Sequence, residues 1–271
     1  MDYKYIDTHA HLNLAQFAED REAVFGECAE QNVAMINVGT HKSTSQLAVE
    51  LSEKHANAWS IIGLHPINVL SSDPDDADAT VESVFDYDFY KPLAEAGRTV
   101  GIGECGFDYW HNSDETYQEQ REVFLAQIAL ANEVGKPLML HLRNSKDGKG
   151  RNAYEDALEI LRSEAKVLGN AHFYAGTKEQ AKKFFDIGYT ISFTGVVTFA
   201  KDYEDLVDYA PLDMIHGETD CPYVAPAPYR GRRCEPWMVQ EVYKKIATVK
   251  GLDEELVREQ LIQNAKKLYR I

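Results

Sequence analysis

Short apolar runs alternate with stretches of helical spacing from one end of the chain to the other. The first run, near residues 3–8, gives way to a helical stretch with Phe17, Val24 and Cys28 on one face. Val33–Val38 is a second run, closed by Gly39, and a short helix predicted near 43–55 leads to a third over 59–64. An acidic loop over 73–78 and a helix near 80–96 precede the fourth run, 99–104. A helix near 115–134, with Phe124, Ile128 and Ala131 on one side, leads to the fifth, 136–141. Tyr154, Ala157, Leu158 and Leu161 fall at i, i+3, i+4 and i+7 and mark a helix before the run 169–173. A short helix near 178–187 precedes 189–193, and Tyr203, Leu206, Val207 and Ala210 repeat the helical spacing before the last run, 213–218. Two helices close the chain, near 236–249, where Pro236 suits a first helical position, and near 253–269.

Eight runs, apolar on both faces and each separated from the next by a helix, predict a parallel sheet. Eight such units in about 250 residues form the pattern of a (β/α)8 TIM barrel, here a single domain over residues 1–271. A doubly wound open sheet is the alternative, but no glycine-rich phosphate loop follows the first run.

Composition changes this picture little. Hydrophobic residues make up 44% and charged residues 27%, ordinary for a globular protein. No apolar run approaches the roughly 20 residues of a membrane span, and no signal peptide is visible at the N-terminus. A cytoplasmic location, without membrane association or an obligate protein partner, is the expectation. Cys28, Cys105, Cys221 and Cys234 fit no zinc-ribbon or paired-cysteine spacing and are expected as free, mostly buried thiols. The net charge of −16 argues against a broad basic surface that coats duplex nucleic acid. It leaves room for a basic rim around a site.

The candidate chemistry lies at the ends of the predicted strands. His9 and His11 stand at i and i+2 and so point to one side of a strand. The third strand ends in His65, the fourth in Glu104, the fifth in His141 and the sixth in His172, and the eighth runs into Asp220. A barrel gathers its active site at these C-terminal ends. One histidine at a strand end is more often a hydrogen-bonding group than a ligand, but seven such groups on one mouth are not explained that way. By contrast His41, His55 and His111 fall in helices or loops and His216 within a strand, and no functional role is expected of them.

Four imidazoles and two carboxylates exceed the needs of one tetrahedral ion. Two divalent ions sharing a carboxylate fit the count. Glu104, on the central fourth strand, is the natural bridge between His9, His11 and Asp220 on one side and His141 and His172 on the other. Two ions roughly 3.5–4 Å apart would share a hydroxide and clamp the attacking and leaving oxygens of a phosphoryl group. Mixed nitrogen and oxygen ligation without thiolate suits Zn2+, Mn2+ or Fe2+, and Mg2+ less well.

The segments Ile6-Asp7-Thr8-His9-Ala10-His11, Gly63-Leu64-His65-Pro66, Gly103-Glu104-Cys105-Gly106-Phe107-Asp108-Tyr109, His141-Leu142-Arg143, His172-Phe173 and Glu218-Thr219-Asp220-Cys221-Pro222-Tyr223 together resemble the TatD family of metal-dependent deoxyribonucleases, amidohydrolase-like barrels. The late segment Tyr229-Arg230-Gly231-Arg232-Arg233-Cys234-Glu235-Pro236 is similar to that family's Arg-Gly-Lys/Arg-Asn-Glu-Pro, with Cys234 where Asn is usual. The resemblance implies one metal held by His9, His11, Glu104 and Asp220 and a second held by Glu104, His141 and His172. It also implies DNA as substrate, cleaved from an end or at accessible single-stranded positions.

Two loops give the acidic chain a basic rim: Arg143, Lys146, Lys149 and Arg151 after the fifth strand, and Arg230, Arg232 and Arg233 after the eighth. Arginine presents a planar fork suited to phosphate oxygens, and Arg143, Arg230 and Arg232 are the expected substrate contacts. Tyr109 and Trp110, on the loop after Glu104, are candidates for stacking a base, with simple packing the other reading of Trp110. Asp220 is expected both to bind metal and to accept the proton of the attacking water. His65 is expected to hydrogen-bond the phosphate or assist the leaving oxygen, and Asp7 and Glu218 to orient ligands. An amide or ester hydrolase of the wider amidohydrolase group, such as a D-aminoacyl-tRNA deacylase, is the competing reading. Many dinuclear members of that group bridge their metals with a carboxylated lysine where this chain has Glu104.

Overall fold

The computed structural model describes residues 3–74 and 79–271, so the acidic loop over 73–78 falls partly outside the described residues. Eight strands run parallel, each paired with the next in chain order. They are β1 (Tyr5–Ala10), β2 (Val33–Val38), β3 (Ala58–Ile62), β4 (Thr99–Asp108), β5 (Leu138–Arg143), β6 (Gly169–Ala171), β7 (Thr190–Phe193) and β8 (Ile215–Gly217). Every residue of β2 and of the ten-residue β4 is buried, as strands covered on both faces require. The sheet curls into a nearly closed TIM barrel whose seam, between β8 and β1, is short. Beyond β8, Asp220 donates its backbone N–H to the His9 carbonyl (2.9 Å) and His11 donates to that of Cys221 (3.0 Å).

The helices that carry the chain between successive strands are α1 (Arg21–Glu30), α2 (Lys42–Lys54), α3 (Tyr87–Glu95), α4 (Tyr117–Val134), α5 (Ala153–Glu164), α6 (Lys178–Asp186) and α7 (Glu204–Tyr209). After β8 come α8 (Val239–Lys250) and α9 (Glu254–Tyr269). Ile262, Ala265, Leu268 and Tyr269 of α9 pack with Ile6, Ile36, Ile61, Val100 and Met139 of the strands. This cluster fills the barrel's interior from its N-terminal mouth and leaves the C-terminal mouth open.

Several boundaries differ from the sequence expectation, among them the end of β4, which runs on to Asp108. Phe17 belongs to a separate single turn, Ala15–Phe17, rather than to α1. The helix expected from residue 80 starts at Tyr87: Asp86 caps it by accepting from the Phe89 N–H, and upstream Val81 and Val84 stand exposed with no face to bury. Strand β1 continues through His9 to Ala10.

His216 in β8 is fully buried, with Nε2 3.0 Å from Thr190 Oγ1. Burial pushes its pKa down to about 4. An unfolded histidine titrates near ~6.5, so below that pH the unfolded chain takes up a proton that the folded chain refuses until about pH 4. Stability is therefore lost as pH falls through this window, by an amount on the order of 3 kcal/mol. His216→Gln is expected to flatten the fall in Tm across that range; a Tm offset that is the same at every pH would count against it.

Candidate metal centre

Strand β4 carries the central group. Its pairing with β5 shifts register between Ile102 and Cys105, and Glu104 sits in that irregularity between two glycines of positive φ, Gly103 (147°) and Gly106 (134°). A Cβ on Gly103 would lie 2.4 Å from the Met139 carbonyl oxygen, and one on Gly106 2.4 Å from that of His141. Only glycine lets β4 bulge so close to β5 while Glu104 turns toward the barrel axis.

The two oxygens of Glu104 face different partners. Oε2 lies 3.3 Å from His9 Nε2 and 3.9 Å from His11 Nε2. Those two nitrogens stand 3.0 Å apart, and Asp220 Oδ1 is 3.7 Å from the first and 3.3 Å from the second. Oε1 lies 2.9 Å from His141 Nδ1, 2.6 Å from His172 Nε2 and 3.3 Å from His65 Nε2, and His141 Nδ1 is 3.5 Å from His172 Nε2. Asp220 reaches this cluster from a left-handed backbone position (φ 59°), which aspartate tolerates better than most residues.

Ring hydrogen bonds assign the tautomers. His11 Nδ1 donates to the Val38 carbonyl (2.8 Å), which leaves the Nε2 lone pair facing the cluster. His141 Nε2 donates to Asp108 Oδ2 (3.0 Å), which leaves Nδ1 facing Glu104. His65 is the reverse: its Nδ1 accepts from the Ile67 N–H (3.1 Å), so the neutral ring carries its proton on Nε2 and offers a donor rather than a lone pair. His65 lies close enough to Glu104 and His141 to share an ion, but this tautomer suits a contact to substrate. His9 Nδ1 is buried with no hydrogen-bond partner among the described residues, which lets it carry the proton while Nε2 faces the other donors.

The donor set fits divalent metal. Four ligands about 2.0–2.2 Å from a tetrahedral ion stand roughly 3.3–3.6 Å apart; His9 and His11 lie 3.0 Å from each other and each 3.3–3.9 Å from Glu104 and from Asp220. Burial opposes ionisation of Glu104, but the imidazoles of His172, His65 and His9 and the hydrogen bond from His141 hold it well below the usual carboxylate range. His141 is likewise opposed by burial, yet Asp108 and Glu104 raise its pKa to about 9; His172, beside Glu104 and Glu218, is raised well above the ordinary imidazole value. Metal entry at this side of Glu104 therefore displaces protons.

Asp108, fully buried, is the partner the sequence reading passed over. Its Oδ2 pairs with His141 Nε2 (3.0 Å) and His111 Nδ1 (2.8 Å), while Oδ1 accepts from the backbone N–H groups of Trp110 and His111 (2.8 Å each). His111, set aside as background, thus belongs to the surroundings of the cluster. The available signal was spacing: Asp108 lies four residues after Glu104 on one strand and so on the same face. Asp108→Asn, which keeps the shape and weakens the acceptor, is expected to lower metal affinity at the His141 side roughly 10–100-fold. Calorimetric titration with Zn2+ or Mn2+ checks this, and an unchanged affinity would remove Asp108 from the role. Of the other two expected orienting groups, Asp7 accepts from the Thr219 and His9 N–H groups and so braces backbone, while Glu218 lies 3.4 Å from His172 Nδ1 and accepts from Ser192 Oγ and the Phe173 N–H.

The cluster opens into a cavity of about 570 Å3 walled in part by His65, Trp110, His111, Arg143 and Tyr223. Arg143 is thus in the wall, whereas Arg230, stacked on Phe199 at 3.7 Å, and Arg232, over Tyr229 at 5.9 Å, are exposed outside it. Arg151 and Arg233 are spent on Asp156 and on Asp20 with Glu235. Tyr109 does not stack a base: it is 2% exposed, and its hydroxyl donates to Asp156 (2.7 Å) away from the cavity. All four cysteines are buried and free. Among the described residues no helix is long and apolar enough to cross a membrane.

A parallel eight-stranded barrel with imidazoles and carboxylates gathered at its C-terminal mouth defines a metal-dependent hydrolase of the amidohydrolase-like class. Residues 6–270 match the family described as TatD related DNase, and the chain belongs to it. It is 36% identical to the metal-dependent hydrolase YabD of Bacillus subtilis over 271 residues, covering 98% of each chain. It is 31% identical to the 3'-5' ssDNA/RNA exonuclease TatD of Pantoea ananatis over 274 residues, 97% of this chain and 98% of that one. The crystal structure of YJJV, a TatD homolog from Escherichia coli K12, has the same fold, with a TM-score of 0.84 at 21% identity over the full length of both chains.

Proposed function

We propose that this hydrolase cleaves phosphodiester bonds of single-stranded or frayed DNA, working from an end. The observation that carries the reading is one buried carboxylate, Glu104, whose two oxygens each face their own set of metal-competent donors, in a cavity that Arg143 also lines. The Pantoea relative, a 3'-5' ssDNA/RNA exonuclease, supports the substrate class.

His9, His11, Glu104 and Asp220 would hold one divalent ion, and Glu104, His141 and His172 a second. Ions so held supply Lewis acidity to the phosphate and lower the pKa of water. Asp220 takes the proton of the attacking water. Burial raises its pKa, but the hydrogen bond with His11 and the charges of His9, His172 and His11 bring it below the usual value, so it is ionised and ready to accept. His65 donates from Nε2 to a phosphate oxygen or to the leaving oxygen. Arg143 binds a second phosphate oxygen, and Arg230 and Arg232 stand further out along a longer chain.

The test is hydrolysis of 5'- and 3'-labelled single- and double-stranded DNA with Mn2+, Mg2+ or Zn2+, beside a D-aminoacyl-tRNA. Metal-dependent shortening of single strands from one end is the expected result. Release of the aminoacyl group with DNA left intact would overturn it.

A further inference from the structure

We infer that Trp110 and Arg143 form a subsite for an unpaired nucleobase and its phosphate, held in register with the metal-competent cluster by Asp108; this rests on the nuclease reading above. Trp110 is one of the few large apolar side chains left exposed, at 37%, and it lines the same cavity as Glu104, His141 and His172. Two cations lie against its ring, the Arg143 guanidinium 4.6 Å and the Lys146 ammonium 5.4 Å from the centroid. An aromatic face for a base beside cations for a phosphate is the chemistry that recognises single-stranded nucleic acid without regard to sequence.

Position gives the pairing its meaning. Arg143 closes β5 two residues after His141, and its carbonyl accepts from the Tyr109 N–H at 2.8 Å, tying the two loops together. The Asp108 carboxylate then binds the Trp110 and His111 N–H groups through one oxygen and the His141 ring through the other. One buried group thus fixes both the aromatic platform and a candidate metal ligand, so a base on Trp110 sets where the next phosphate falls. A base paired in the interior of a duplex keeps both faces covered by its neighbours and cannot use the platform. The cavity, about 570 Å3, is in the range of sites for small molecules rather than a duplex. The subsite therefore selects unpaired strands by their exposed bases.

The experiment compares steady-state cleavage of a single-stranded oligonucleotide with that of the same strand carrying an abasic residue next to the scissile bond. The metal-loaded parent chain, Trp110→Ala and Trp110→Phe are run side by side. The parent is expected to favour the intact strand in kcat/KM by roughly 5- to 100-fold, the range of one base–aromatic stack. Trp110→Ala should abolish that preference and Trp110→Phe largely restore it. A parent that cleaves both strands equally, or a Trp110→Ala variant that keeps the full preference, would overturn the subsite and leave the nuclease reading standing. If the parent cleaves neither strand, the nuclease reading fails and the subsite with it.

Discussion

Glu104→Gln is expected to abolish nearly all turnover and to reduce bound metal to one equivalent or less. Glutamine keeps the volume and one acceptor oxygen but turns an amide toward either His9 and His11 or His141 and His172. An amide N–H directed at imidazole lone pairs cannot accept a cation, so one half of the cluster is lost whichever way the side chain settles. The carboxylate is 3% exposed, so water does not replace what the substitution removes. Losing a single stabilising donor in an active site costs about 10²–10³ in rate, and this change disables a shared group, so the loss should exceed that range. Metal analysis by mass spectrometry together with the DNA assay decides it. Two equivalents of metal and parental activity in Glu104→Gln would rule out the bridge.

Asp220→Asn has the second-largest expected effect and separates two roles. As a ligand only, its loss would be repaired by raising the metal concentration. As a proton acceptor as well, it should leave kcat about 10²–10⁴ lower at saturating metal, with the acid limb of the pH–rate profile displaced. The limb belongs to a group whose pKa lies below the usual carboxylate value, so activity in the parent falls as pH drops toward it. Full rescue by excess metal would assign Asp220 to ligation alone.

The barrel was legible in the sequence because its strands are covered on both faces and appear as unbroken apolar runs, as in Val33–Val38. Their polar ends were legible for the same reason: His9, His11, His65, Glu104, His141, His172 and Asp220 break an apolar pattern at the points where a strand leaves the core. Asp108 is not legible there because β4 runs four residues beyond Glu104, past the point where its apolar run ends. The direction of Tyr109 is not legible, because a position next to a site does not reveal which way a side chain turns; its hydroxyl donates to Asp156. The arginines after β8 cluster in sequence but diverge in space, since Arg233 is held by Asp20 and Glu235 while Arg230 lies on Phe199.

The short seam between the first and last strands has a thermodynamic side. His9 and His11 lie on one bank of it and Asp220 on the other, with more than two hundred residues of chain between them and few backbone bonds across. A divalent ion gripped by all three would act as a clasp on the barrel's weakest join. Binding to the folded chain alone then adds RT ln(1 + [M]/Kd) to its stability, about 4 kcal/mol at a thousandfold excess over Kd. Metal supply would set how long the barrel stays shut as well as how fast it works.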